Sequence, residues 1–166
     1  MIEEGNAAPA FTLRSAEGDK FSLSSFAGKY AVVYFYPRDD TPGCTREAQA
    51  FNKLLGKFAK LDAVVLGISK DSVETHCKFR DKYGLGFPLL SDPDAKVIEK
   101  YGAWGEKSLY GKKSMGIIRS TVIVGPDGRV KRIFRKVKVD GHADVVLETI
   151  QKLRSAPDNA AARNDR

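Results

Sequence analysis

Long apolar runs are missing from this chain of 166 residues. The longest, Ala31-Val32-Val33-Tyr34-Phe35-Tyr36, has the length of a strand. It falls far short of the ~18 residues that span a bilayer, so no membrane segment is expected. The opening Met1-Ile2-Glu3-Glu4 has no basic stretch leading into an apolar one, so no secretory signal is expected and the reading is cytoplasmic. Cysteine is scarce, at two residues, Cys44 and Cys77, and histidine is equally so, at His76 and His142. Two of each at scattered positions make no zinc signature. Two thiols in a reducing compartment do not build a disulfide framework either. Cys44 is followed by Thr45, Arg46 and Glu47, so the Cys-x-x-Cys of thiol–disulfide oxidoreductases is lacking. No metal and no cofactor is expected. No repeat and no linker interrupts the chain. One domain is expected over 1–154, followed by a tail, 155–166, without large apolar side chains and expected to be disordered.

Charge of one sign is in excess. The net charge is +7 and the isoelectric point about 9.4. A basic protein invites a nucleic-acid reading. Here Lys and Arg are spread along the chain and interleaved with Asp and Glu. The densest group, Arg129 to Lys138, alternates with Val130, Ile133, Phe134, Val137 and Val139, the pattern of a solvated edge strand. No nucleic-acid partner is expected, and the mark of one would be salt-sensitive retention on DNA.

The periodicities order the elements. Phe11-Thr12-Leu13 and Lys20-Phe21-Ser22-Leu23 flank the turn former Ala16-Glu17-Gly18-Asp19 and predict an N-terminal β-hairpin. The run 31–36 predicts a strand buried on both faces. After a polar loop, Ala48, Phe51, Leu54, Leu55, Phe58 and Leu61 recur at helical spacing. Residues 63–69 predict a second central strand, and Asp71 or Ser72 caps a helix to about Tyr83, with Gly84 beyond it. An extended segment 87–90, a short helix 95–101, a hairpin of 120–124 with 129–137 and a closing helix 143–153 complete the chain. That order predicts an α/β protein of thioredoxin-like fold, a central mixed sheet flanked by helices.

The polar loop carries the chemistry. Cys44 stands where the loop enters a helix. A thiolate, not a thiol, is the nucleophile. The N–H groups and partial positive charge of a helix start favour an anion. Pro42 suits the helix entry and shields one side of the neighbouring sulfur. Gly43 permits close approach of a small molecule. The Thr41 hydroxyl can donate and accept. A lone cysteine is often an inert buried thiol, but the turn-rich junction before Cys44 favours function.

The segment Tyr36-Pro37-Arg38-Asp39-Asp40-Thr41-Pro42-Gly43-Cys44-Thr45 closely resembles the active-site segment of peroxiredoxins, Pro-x-x-x-Thr-x-x-Cys. The Thr-Pro-Gly-Cys-Thr form is similar to the PrxQ branch, also called the bacterioferritin comigratory protein type. Further stretches fit that branch, among them Gly67-Ile68-Ser69-Lys70-Asp71, Phe87-Pro88-Leu89-Leu90-Ser91-Asp92 and Gly116-Ile117-Ile118-Arg119-Ser120-Thr121. The likeness runs from about Gly5 to Leu153. It implies a peroxidase that reduces hydrogen peroxide and organic hydroperoxides, recycled by thioredoxin or a similar thiol reductant. Cys44 matches the peroxidatic cysteine, Thr41 the hydroxyl that bonds peroxide and thiolate, and Pro42 the shielding proline. Arg119 matches the distant arginine facing the thiolate, and Glu47 a carboxylate supporting it. Without the resemblance, Arg119 is an ordinary surface arginine and Glu47 a first-turn carboxylate. Trp104 and Tyr36 read as packing residues, and His76 and His142 as surface or capping residues.

The chain departs from the branch in its second cysteine. Many members carry a resolving cysteine five residues after the first, where this chain has Gln49. Others carry it in the helix 71–83, at the position of Arg80 here. Cys77 lies one turn earlier on nearly the same helical face. It is the candidate resolving residue for an intramolecular disulfide with Cys44. If it is incidental, the resemblance implies a one-cysteine enzyme that uses an external thiol. A cysteine redox sensor without turnover stays open. The branch's habit implies a monomer.

Overall fold

A computed structural model describes residues 2–156, so most of the expected C-terminal tail lies outside the described residues. In chain order the strands are β1 (Thr12–Ser15), β2 (Lys20–Ser22), β3 (Tyr30–Phe35), β4 (Ala63–Ser69), β5 (Leu89–Ser91), β6 (Trp104–Leu109), β7 (Lys112–Ile117), β8 (Ser120–Val124) and β9 (Val130–Phe134). The helices are α1 (Pro42–Lys53), α2 (Leu55–Lys60), α3 (Val73–Tyr83), α4 (Lys96–Lys100) and α5 (His142–Ser155). Seven strands form one sheet in the order β2-β1-β5-β4-β3-β8-β9. The β5–β4–β3 ladder is parallel, and β1, β8 and β9 join antiparallel, so the sheet is mixed as expected. Among the described residues no helix is long and apolar enough to cross a membrane.

The continuous apolar run becomes the central strand. All of β3 is buried. Val32, Tyr34 and Tyr36 face a layer built from Ala48, Phe51, Phe58, Phe79, Val146 and Ile150 of α1, α2, α3 and α5. Ala31, Val33 and Phe35 face the opposite layer, with Ile98 of α4, Tyr101, Ile117 and Phe11. Tyr34 pairs in register with Gly67 of β4. A β-carbon at Gly67 would meet the Tyr34 ring at 3.1 Å, so the ring lies where any other residue's side chain would start.

Two elements differ from the sequence reading. The expected long helix from Ala48 to Leu61 is two helices, α1 and α2, divided at Leu54. The segment after α4 folds as a separate two-stranded ribbon, β6–β7, which no apolar alternation announces. The predicted N-terminal hairpin β1–β2 forms as expected, and it joins the main sheet through β5. The basic strand β9 is the last of the sheet, as its alternation predicted. Its outer side is met by the N-terminal segment. Gly5 N donates to Val130 O at 2.7 Å, Val130 N to Asn6 O at 2.8 Å, and Ile133 N to the Glu4 carboxylate at 3.1 Å.

Candidate active site

The site forms at the carboxyl end of β3, where binding crevices of open α/β sheets lie. There the chain turns through Asp40, in the left-handed region at φ 55°, a conformation Asp tolerates. Thr41 is the extended residue before α1, and Pro42 opens the helix. Cys44 is the third residue of α1 and is 2% exposed. Its sulfur therefore sits in the first turn, among N–H groups that have no helical acceptor.

Arg119 arrives from 75 residues downstream. It directly precedes β8, which pairs with β3 so that Ser120 stands beside Phe35. That register carries Arg119 to the end of β3 where the loop to Cys44 begins. Its Nη2 donates to Cys44 Sγ at 3.3 Å and its Nη1 to Glu47 Oε1 at 2.7 Å. Glu47 is 1% exposed, and its Oε2 has no partner. Burial raises its pKa to about 7, against the opposing pull of the Arg119 charge. The guanidinium is a planar fork, able to serve two acceptors at once. So the expected neighbours of Cys44 are assembled, Glu47 included.

Thr41 occupies the expected place, but its hydroxyl is turned. It donates to Arg38 O at 2.9 Å, and no bond to Cys44 is formed. With its proton directed at the loop, the oxygen's lone pairs remain available to a donor. Pro42, beside the sulfur in sequence, is itself exposed.

Cys77 is half-buried on α3. Its sulfur is 3.7 Å from Asp81 Oδ2 and accepts from Arg80 Nη2 at 3.5 Å. Both cysteines are free thiols, each with its own arginine. Gln49, at the departed position on α1, is exposed.

Both histidines correct the sequence reading, since neither is a surface residue. His76 is fully buried on α3. Its Nδ1 lies 2.6 Å from Asp39 Oδ2 and its Nε2 3.0 Å from Leu90 O. Tyr36, read as a packing residue, also donates to Asp39 Oδ1, at 2.6 Å. One signal was available: His76 lies three residues before Phe79, on the face that α3 buries. Donor atoms of Asp39, Asp71 and His76 lie within 4.8 Å of one another. Both nitrogens of His76 are already engaged within the protein, and Asp71 is bonded by Asp39 N and Ser69 Oγ. His142 opens α5 and is buried against Thr121, Nε2 to Oγ1 2.8 Å. Burial, and secondarily the charge of Arg119, lowers its pKa to about 4.

A parallel core extended by antiparallel strands, with one cysteine in the first turn of a helix under an arginine fork, defines a peroxiredoxin, a peroxidase enzyme. The chain belongs to the AhpC/TSA family, whose profile matches residues 5–133. It is 45% identical to the peroxiredoxin Bcp of Bacillus subtilis over 152 residues, 92% of this chain and 97% of the relative. Its fold is similar to that of the bacterioferritin comigratory protein of Xanthomonas campestris, at 42% identity and TM-score 0.85, covering 90% of this chain and 98% of the other. PrxQ of Xylella fastidiosa is 37% identical with a TM-score of 0.87, covering 92% and 97%.

Proposed function

We propose that Cys44 reduces hydroperoxides by direct displacement. The thiolate attacks the terminal oxygen of the peroxide, the S–O bond forms and the O–O bond breaks. The leaving oxygen takes a proton and departs as water or alcohol, leaving Cys44 as a sulfenic acid. The observation that carries this reading is the 3.3 Å contact of Arg119 Nη2 with Cys44 Sγ, fixed from behind by buried Glu47. As charge moves from sulfur to the leaving oxygen, the same guanidinium can follow it, a preorganised donor that needs no rearrangement. Thr41 Oγ1 accepts the hydroxyl of the incoming peroxide, and Pro42 limits water on the sulfur's other side. The Xanthomonas relative is described by alkyl peroxide reduction, which supports organic hydroperoxides beside hydrogen peroxide.

Resolution falls to Cys77. Its thiol attacks the sulfenic sulfur, a disulfide forms and the oxygen leaves as water. A dithiol reductant of the thioredoxin type then returns two electrons. The proposed setting is a cytoplasmic monomer with one domain over 1–154.

Peroxide consumption by wild type, Cys44→Ser and Cys77→Ser tests this. The first variant is expected to lose activity. The second keeps the first oxidation and loses thioredoxin-linked turnover. Mass spectrometry of peroxide-treated protein under non-reducing conditions should show a loss of two hydrogens. Persistence of that loss in Cys77→Ala overturns the intramolecular disulfide and leaves a one-cysteine enzyme.

A further inference from the structure

Helix α3 is fastened to the loop that presents Cys44. At its start, Asp39 N donates to Asp71 Oδ2 at 2.9 Å. At its end, Asp40 accepts from Lys82 Nζ at 2.9 Å and from Tyr83 Oη at 2.7 Å. The second tie is exposed to solvent, where ion pairs and hydrogen bonds hold weakly, while the first is half-buried. Between them lies the Asp39–His76 pair, with both side chains fully buried.

The proton inventory of that pair is closed. Leu90 O can only accept, so His76 Nε2 carries a hydrogen. Asp39 Oδ1 accepts from the Tyr36 hydroxyl. At 2.6 Å a single proton lies between Asp39 Oδ2 and His76 Nδ1. Every donor in the group has an acceptor, and removing one partner strands the other away from water.

Chain connectivity makes this pair consequential. His76 and Cys77 are adjacent, about 100° apart around the helix. Cys44 Sγ is turned to Arg119 and Cys77 Sγ to Arg80 and Asp81. A disulfide needs their Cα atoms within about 7 Å. Cys77 cannot leave its turn of α3 without drawing His76 off Asp39 and Leu90 O. Asp39 in turn is five positions before Cys44 and within the loop that must move with it.

We propose that the Asp39–His76 pair is a latch, a positioning device that holds α3 wound and sets how fast Cys77 reaches oxidised Cys44. The proposal rests on the reading of Cys77 as the resolving cysteine. The latch competes with a second peroxide. While it stays closed, a Cys44 sulfenic acid can be oxidised again to the sulfinic acid, with a further peroxide as oxidant. When it opens, the sulfur–sulfur bond forms and water leaves.

Hydrogen exchange on the full reduced chain tests the latch apart from turnover. Asp39→Asn keeps the shape of the pair and removes its charge, and His76→Gln removes the ring. Exchange of α3 amides should quicken in both by on the order of a hundredfold, the scale on which losing a partner shifts a buried pair. The amides of β4 should not change. After peroxide, the ratio of disulfide to sulfinic acid should rise in both variants. Unchanged α3 exchange in folded variants overturns the proposal. If β4 also exchanges faster, so that the fold itself is weakened, wild type decides. Relative to its own faster intrinsic exchange, the His76 ring N–H should be protected as strongly as the α3 amides, and a ring protection far below that of those amides overturns the latch. If α3 responds as expected while no Cys44–Cys77 disulfide forms in any protein, the reading of Cys77 fails and the access role fails with it.

Discussion

A β-carbon on Gly43 would stand 3.3 Å from Nη2 of Arg119, the nitrogen that donates to Cys44. Glycine at this position lets the guanidinium lie across the first turn of α1. Gly43→Ala should push the fork back by a few tenths of an ångström. The second-order rate of Cys44 oxidation should fall about tenfold, equal to ~1.4 kcal/mol of lost transition-state stabilisation. Stopped-flow oxidation of the reduced protein checks this, and an unchanged rate would show that the contact is not tight in solution.

Arg119→Lys keeps the charge and loses the fork. A single ammonium cannot hold the geometry to both Cys44 and Glu47 that the planar group holds. The rate of peroxide reduction should drop by roughly a hundredfold, the cost typical of one lost preorganised donor. Stability should change less than in Arg119→Ala, which leaves Glu47 buried without a partner.

Glu47 should give the peroxide reaction a pH dependence. Its carboxyl titrates at about 7, and only the ionised form accepts from Arg119 without supplying a competing proton. Single-turnover oxidation should therefore rise through about pH 7, and that step should vanish in Glu47→Gln. Stability runs the other way. The folded state binds this proton more tightly than the unfolded chain, whose carboxyl titrates near 4.5. The contribution is fully present below about pH 4.5 and is lost as pH rises through about 7.

His142 has the opposite sign. Its folded pKa of about 4 lies below the ordinary 6.5, so between those values the unfolded chain binds more protons. Stability from this group is complete above pH 6.5 and falls as pH drops toward 4. The acid-side loss is on the order of 3 kcal/mol. His142→Gln should show a shallower decline in thermal midpoint over that range, read by calorimetry in parallel with wild type.

What could be read from the chain was mostly local. The run 31–36 announced a strand covered on both faces because every residue in it is apolar. Asp71 or Ser72 and Gly84 announced the two ends of α3, where Ser72 stands as the N-cap and Gly84 as the left-handed C-cap. Cys44 at a helix start followed from Pro42 and the turn residues before it. The contact of Arg119 with Cys44 was reachable only through family resemblance, because no local pattern links residues 75 apart. The burial of His76 and His142 was missed because the spacing of His76 to Phe79 is a weak signal and nothing local names a buried histidine's partner. The partners Asp39 and Thr121 lie on other elements. The β6–β7 ribbon was missed because its mostly polar strands show no apolar alternation to read.

The bonding of residues 4–6 along β9 has a practical bearing on how the protein behaves when shortened. Those residues occupy ladder positions that a neighbouring molecule could otherwise use. Deleting residues 2–8 would bare the N–H groups of Val130 and Ile133 on the rim of a long sheet. The trimmed protein should then associate rim to rim as its concentration rises, visible as a growing particle mass in light scattering, while the intact chain keeps a constant mass.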